Sequence, residues 1–293
     1  MYKETSFDPR CFADFEYYTL LKNSFGHDQG RYIVAPVKDW AREAVKAVKK
    51  SNIQDIKRKS VIAFLNKLQK KQTEELVLLP KDRKAIGYTD WPAWHPQVEQ
   101  ARPFCIKISE QIDGCSTSVQ LDAANNDWHV PPSILVNKQA VEIFEKIKPI
   151  CRLSKEIKII DQYFKLANNA VLHQIFDFID KDGSSSVEKI ILVTSMNTQN
   201  PASVFTSEFS SKYTQIPSFR VIVAPERFFH DRYILSDYAS LKTGHGFSAG
   251  RVMGAQSDRL SFNICGKAER DETNRWLERL IQEQKQLADD QLN

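Results

Sequence analysis

At 293 residues the chain has room for two domains, and its 42% hydrophobic and 27% charged residues are typical of an ordinary soluble protein. This composition excludes a disordered or collagen-like protein. A net charge of +4 is too small to decide between classes of partner.

Membrane insertion and disulfide scaffolds are not expected. The chain lacks an apolar run of roughly eighteen residues, and Met1–Thr5 carries no apolar stretch of the kind a secretory signal needs. Five cysteines are widely spaced, with no Cys-x-x-Cys pair. We therefore expect no membrane span, no structural metal and a reducing, cytoplasmic setting.

The N-terminal part, residues 1–133, is predicted to be a smaller α/β region. Its predicted elements are strands at 31–37, 75–79, 104–108 and 117–121 and helices from Asp39 to 50 and at 53–71, with an irregular tryptophan- and proline-rich segment at 90–103. Residues 42–71 contain ten basic and two acidic residues. This excess favours either a polyanion-binding surface, with Lys57, Arg58 and Lys59 as candidate contacts, or simply a solvated helix face.

The C-terminal part, residues 134–293, is predicted to be an α/β domain with a mixed sheet flanked by helices, because strand and helix patterns alternate there. Strands are expected at 157–161, 189–194, 219–224, 231–236 and 260–264, and helices at 138–150, 170–179, 203–213 and 269–287.

One dense group of chemically useful residues lies in this second part. His230 and Arg232 are two apart on a predicted strand and should share a face. Asp237 is expected at the strand's end, near enough to return towards the histidine. Gly246 allows close backbone approach, Ser248 offers a hydroxyl and His245 is a second-rank candidate contact. An imidazole, a fixed cation, a carboxylate and a glycine turn suit an anionic phosphoryl group.

These residues resemble the phospholipase D superfamily, whose motif is His-x-Lys-x4-Asp followed by a Gly-Ser pair. Here the motif is His230-x-Arg232-x4-Asp237, followed by Gly246-Phe-Ser248, and the strand ending in Asp161-x-Tyr163 resembles the superfamily's opening strand. The His-Asp-Arg wording is similar to two groups. One comprises bacterial phospholipase-D-like proteins, several thought to be nucleases, and the other is the lipid-binding C-terminal domain of microtubule-interacting-and-trafficking proteins.

The resemblance implies a metal-independent phosphodiesterase without cofactor, a nuclease above all, in which His230 becomes a phosphohistidine. Since one motif supplies one histidine, it also implies a homodimer, as in single-motif relatives. A bacterial phage-defence setting would suit it. Arginine at position 232 departs from the family lysine and cannot shuttle a proton. The alternative is therefore a catalytically silent module that binds a phosphate group or serves as a subunit of a larger complex.

Two other motifs do not match the known ligand sites that they resemble. Asp180-Lys-Asp182-Gly183 lacks the end positions of a calcium loop, and Gly244-x-Gly246 lacks the third glycine of a dinucleotide fingerprint. The expected ligand is thus nucleic acid or another phosphodiester.

Overall fold

The computed structural model describes residues 1–72, 75–122, 127–250 and 259–292, which form two compact units, Tyr2–Val130 and Pro131–Asn293. Within these described residues no helix is long and apolar enough to cross a membrane. The α/β class expected for both parts is confirmed. The first unit holds a parallel sheet, and the second holds a mixed sheet flanked by helices.

The first unit is built on a parallel sheet with strand order β3-β2-β1-β4 among the described residues. Its elements are β1 Lys3–Phe7, α1 Phe15–Ser24, β2 Arg31–Val34, α2 Val37–Lys50, α3 Asp55–Gln69, β3 Val77–Leu78, α4 Trp91–Ala101, β4 Ile106–Ile108 and α5 Ser118–Asp122. Aromatic rings fill its core. Phe7 contacts Phe12, Tyr17 and Trp40, all of which are buried.

The second unit has a mixed sheet whose described strands run β12-β8-β7-β6-β9-β10-β11-β5. Its elements are β5 Ser133–Asn137, α6 Ala140–Leu153, β6 Glu156–Ile160, α7 Ala170–Lys181, β7 Lys189–Thr194, α8 Pro201–Phe205, β8 Ser218–Val223, β9 Arg232–Leu235, β10 Ser240–Thr243, β11 Arg259–Ile264, α9 Lys267–Gln282 and β12 Ala288–Leu292. Strands β6, β7 and β8 are parallel, and β9 pairs antiparallel to β6.

Helix α9 covers one face of the second sheet. On one face Leu277 and Leu280 of α9 pack in a cluster with Ile160 and Leu235. Side chains alternate along a strand, so Arg232 lies on the opposite face from Tyr233 and Leu235. Arg232 is therefore directed away from α9.

Two predicted elements were wrong. Residues 90–103 contain helix α4, because Asp90 accepts a hydrogen bond from the Ala93 N–H (2.9 Å) and Pro92 occupies the first turn, where a missing N–H costs little. Its buried Trp91, Trp94 and Val98 supply packing that outweighs the internal proline. The segment predicted as a strand at 117–121 is instead the short helix α5.

The strand predicted at 231–236 is shorter than expected, which affects the motif. Strand β9 begins at Arg232, so His230 precedes the strand and does not share its regular alternation of faces. Helix α1 and strands β1, β5, β10 and β12 were not predicted at all.

Candidate functional site

The motif lies at the edge of the second sheet where parallel strands end. Strands β6, β7 and β8 have their carboxyl ends at one edge, and antiparallel β9 starts at that same edge. Asp161 directly follows β6, and His230 lies just before β9. In open α/β sheets, ligands bind in the crevice outside the carboxyl ends of the strands. This edge is therefore the candidate site.

The guanidinium of Arg232 is held in place by the loop after β10. Arg232 pairs with Thr243 across the β9–β10 ladder, and its Nη1 donates to the carbonyl of Gly244 at 3.0 Å. Its Nε is buried and finds no acceptor among the described residues. The group also lies 5.8 Å from the ring centroid of Tyr163. A cation fixed by a backbone acceptor suits a phosphoryl oxygen.

Asp161 anchors the glycine turn that follows β10. It is 1% exposed, its Oδ2 accepts the Phe247 N–H at 2.7 Å, and its Oδ1 accepts the Tyr163 N–H at 3.0 Å. Burial raises the pKa of Asp161, while the two backbone donors, Arg232 and Lys138 act in the opposite sense. The buried carboxylate thus joins the end of β6 to the turn.

Gly246 is required by this contact. Its φ is +85°, and a Cβ there would lie 2.8 Å from Asp161 Oδ2. Any side chain would therefore be strained in the backbone and would collide with the buried carboxylate. The close backbone approach that the sequence predicted at Gly246 is therefore an approach to the side chain of Asp161.

The remaining candidate side chains of the motif are open to solvent to different degrees. His230 and His245 are exposed, and Ser248 is half-buried. The imidazole of His230 makes no hydrogen bond or ion pair with any residue that the structure describes. The backbone N–H of His245 donates to Thr243 Oγ1 at 3.3 Å. His230 is therefore free to meet a ligand, but nothing in the described structure orients it.

The expected return of Asp237 towards His230 is wrong. Asp237 follows the far end of β9, so the four residues of that strand, about 3.3 Å each, separate it from the start of the motif. Its backbone carbonyl accepts a hydrogen bond from Arg270 Nη1. Beside it, Ser236 Oγ donates to the Ala239 carbonyl at 2.6 Å. Asp237 thus belongs to the β9–β10 turn at the opposite edge.

Three contributors to the site were missed in the sequence. Asp161 and Tyr163 were recognised as a strand ending, but not as site residues. Tyr163 is 53% exposed and donates to Glu226 Oε1 at 2.7 Å, which raises the pKa of its phenol. Lys138 precedes α6 and had no sequence signal, because only the tertiary fold lets its carbonyl accept a hydrogen bond from the Gly250 N–H (3.0 Å).

The predicted contacts Lys57, Arg58 and Lys59 lie in the first unit, on α3, and have different surroundings. Arg58 donates to the carbonyls of Ser51 (3.1 Å) and Ile53 (2.9 Å), so it stabilises the loop between α2 and α3. The Lys57 ammonium lies 4.9 Å from the ring centroid of Phe15. Lys59 is exposed and has no ion-pair partner in the described part of the chain.

The described residues contain no candidate metal site, and His95 has a structural role. Over the described ranges, no group of three or more His, Cys, Asp or Glu side chains could hold a metal ion. His95 is a core residue, since it bonds Ser6 Oγ at 2.8 Å and stacks on Trp91 at 4.6 Å.

Comparisons with known proteins add little. No family model matches the chain, and no curated protein matches it. The structure is weakly similar to TrmBL2, an archaeal chromatin protein whose solved structure shows a novel mode of DNA binding, with a TM-score of 0.30 and 10% identity over 92% of each chain. A TM-score this low supports no argument about fold or function.

The Asp161–Gly246 contact predicts unequal effects of alanine at two neighbouring glycines. Gly246→Ala should destabilise the second unit by about 1–3 kcal/mol, because it combines backbone strain with a clash. Gly244→Ala is the matched control, since a Cβ there meets nothing within 4 Å and its φ is not left-handed. Thermal unfolding would measure the stability of each variant, and hydrogen exchange would measure the protection of the Phe247 N–H in each. Equal exchange in the two variants would contradict the assigned role of Asp161.

Proposed function

We propose that the second unit is a metal-independent phosphodiesterase of the phospholipase D type, acting on nucleic acid, with His230 as its nucleophile. The observation that carries the proposal is the arrangement at the carboxyl edge of the sheet. There, the guanidinium of Arg232 is fixed to the Gly244 carbonyl, beside a glycine turn anchored on Asp161. An exposed imidazole at the start of β9 completes the set.

The proposed reaction has two displacement steps. Arg232 holds the phosphoryl oxygens while a ring nitrogen of His230 attacks phosphorus. The phosphorus–nitrogen bond forms as the bond to the leaving oxygen breaks, and that oxygen takes a proton from an acid. Water then attacks the phosphohistidine and gives its proton to the group that acted as acid in the first step. The phosphorus–nitrogen bond breaks, which frees the imidazole and releases the second product. Arg232 stays charged throughout, so it stabilises charge without moving a proton.

The acid in the first step is proposed to be His230 of a second copy. A single motif supplies one histidine, and a protonated imidazole can give a proton to a leaving oxygen. A two-fold axis through the site would place one histidine on each side of the phosphate. The proposed active form is therefore a homodimer.

Nucleic acid is the proposed substrate because of the first unit's charge. On α2, exposed cations recur at positions that share one helical face, opposite the buried Trp40, Ala44 and Val48; they are Lys38, Arg42, Lys46 and Lys49. Of these, Arg42 pairs with Asp39 at 2.9 Å. Such a row of cations suits a phosphate backbone.

A second candidate function is a silent phosphate-binding module, alone or as a subunit of a larger complex. The position of Asp237 favours it, because no carboxylate orients His230 within the described structure. The arginine at 232 favours it as well, since a bidentate clamp suits binding more than proton transfer. In this case the same edge of the sheet would recognise a phosphate group without cleaving it.

The homodimer makes a prediction about mass in solution. Multi-angle light scattering at micromolar concentration should give twice the chain mass of 33.7 kDa. A saturating concentration of a phosphodiester should leave the dimer mass unchanged, since the second copy's histidine is already in place. A monomer under both conditions would remove the proposed source of the acid and favour the binding module.

Substitutions in the motif separate an enzyme from a binder. With EDTA present, wild-type protein should cleave a phosphodiester, because imidazole replaces metal-activated water. His230→Ala should lower kcat by orders of magnitude with little change in ligand affinity. Arg232→Ala should weaken binding about ten-fold or more, since a charge-assisted contact is lost.

Asp237→Ala is the control within the motif, because its carboxylate lies at the other edge of the sheet, and it should retain cleavage. Undiminished cleavage by His230→Ala would show that this edge is not the active site. Ligand binding without any cleavage by wild type would support the module instead.

A further inference from the structure

An exposed aromatic ring lies at the candidate site. The sequence contains five tryptophans, nine tyrosines and 17 phenylalanines, all of which fall within the described residues. Of these rings, that of Tyr163 is alone in being exposed, at 53%. Aromatic rings contribute most when they are packed against other groups, so a ring left in water at a ligand-binding edge is available for contact with a ligand.

The ring of Tyr163 is held in place although it is exposed. Its backbone N–H donates to Asp161 Oδ1 at 3.0 Å, and the next residue, Phe164, is fully buried. Its hydroxyl donates to Glu226 Oε1 at 2.7 Å, which ties the loop after β6 to the loop after β8. A ring that is fixed at its backbone and at its hydroxyl loses little conformational freedom when a ligand packs on it.

The exposed ring lies beside the residue proposed to hold the phosphate. The guanidinium of Arg232 is 5.8 Å from the centroid of the Tyr163 ring. Only a sugar separates the phosphate of a nucleotide from its base, so a phosphate bound to Arg232 brings a base within reach of Tyr163. Aromatic side chains bind single strands by stacking on their bases. In a duplex the neighbouring base pairs cover both faces of a base, so the ring can stack only on an unpaired base.

We propose that Tyr163 is a base-stacking residue and that the ligand of this site is a nucleotide with an unpaired base, as in a single strand. The proposal rests on the phosphodiester site proposed above and adds to it a contact with the base and a preference for one strand over two. Arg232 contacts a group that every phosphodiester has, whereas Tyr163 distinguishes a nucleotide from a phosphodiester that lacks a base.

The test measures binding by fluorescence anisotropy in a His230→Ala background, which prevents turnover. Three fluorescein-labelled probes of equal length are compared: a single-stranded oligothymidylate, an abasic strand with the same phosphates, and a thymidylate–adenylate duplex. Tyr163→Leu should weaken oligothymidylate binding about five-fold or more through loss of a stacked base, and it should leave binding of the abasic strand and the duplex unchanged. Tyr163→Phe retains the ring and should keep most of the affinity.

Tyr238→Leu is the matched control, because Tyr238 is a half-buried tyrosine in the β9–β10 turn at the opposite edge of the sheet, and it should change nothing. Equal oligothymidylate affinity in Tyr163→Leu and Tyr238→Leu, with Arg232→Ala weakened, would overturn the stacking role and leave the phosphate site intact.

The other outcomes also separate this inference from the proposed function. If Tyr163→Leu weakens binding of the abasic strand or the duplex as much as that of oligothymidylate, the ring does not recognise an unpaired base. Unchanged oligothymidylate binding in both Tyr163→Leu and Arg232→Ala would overturn both proposals, since the strand would then not use this edge. Thermal unfolding of each variant, with Tyr163→Gln as a second ring deletion, would identify any loss due to misfolding.

Discussion

The site depends on one buried carboxylate, that of Asp161. Its two oxygens accept the N–H groups of Tyr163 and Phe247, at 3.0 and 2.7 Å, so a single side chain fixes both the end of β6 and the turn after β10. Each N–H would otherwise need another acceptor, and an orphaned buried donor costs about 1–3 kcal/mol. Burial raises the pKa of Asp161, while the two backbone donors and the charges of Arg232 and Lys138 act in the opposite sense.

Arg232 owes its position to this anchor. The turn that Asp161 holds begins at Gly244, whose carbonyl accepts from Arg232 Nη1 at 3.0 Å. A guanidinium fixed by a backbone acceptor loses little freedom on meeting a phosphate, so its remaining N–H groups are pre-organised. By contrast, His230 lies outside β9 and is exposed. The arrangement is thus better prepared for binding a phosphoryl group than for orienting a nucleophile.

Local pattern predicted much of the second unit, but not the way its site is assembled. The strand Lys189–Thr194 was predicted at its observed bounds because its four central residues, 190–193, are all apolar, which is a strong local signal. The helix at Trp91–Ala101 was missed since its prolines suggested a break, while its stability comes from buried tryptophans. Asp237 was misplaced because sequence spacing does not show that β9 carries it to the other edge. Lys138 contacts the segment after β10 through the backbone hydrogen bond from Gly250, which no local pattern predicts.

The most direct test is to trap the covalent intermediate on His230. Wild-type protein would be mixed with excess bis(4-nitrophenyl) phosphate in EDTA and quenched at alkaline pH within one turnover, and its peptides would be analysed by mass spectrometry. The proposed mechanism predicts a 4-nitrophenyl phosphoryl adduct on the peptide that carries His230, and its absence from His230→Ala. Release of nitrophenol in stoichiometric amount while His230 stays unmodified would contradict the mechanism.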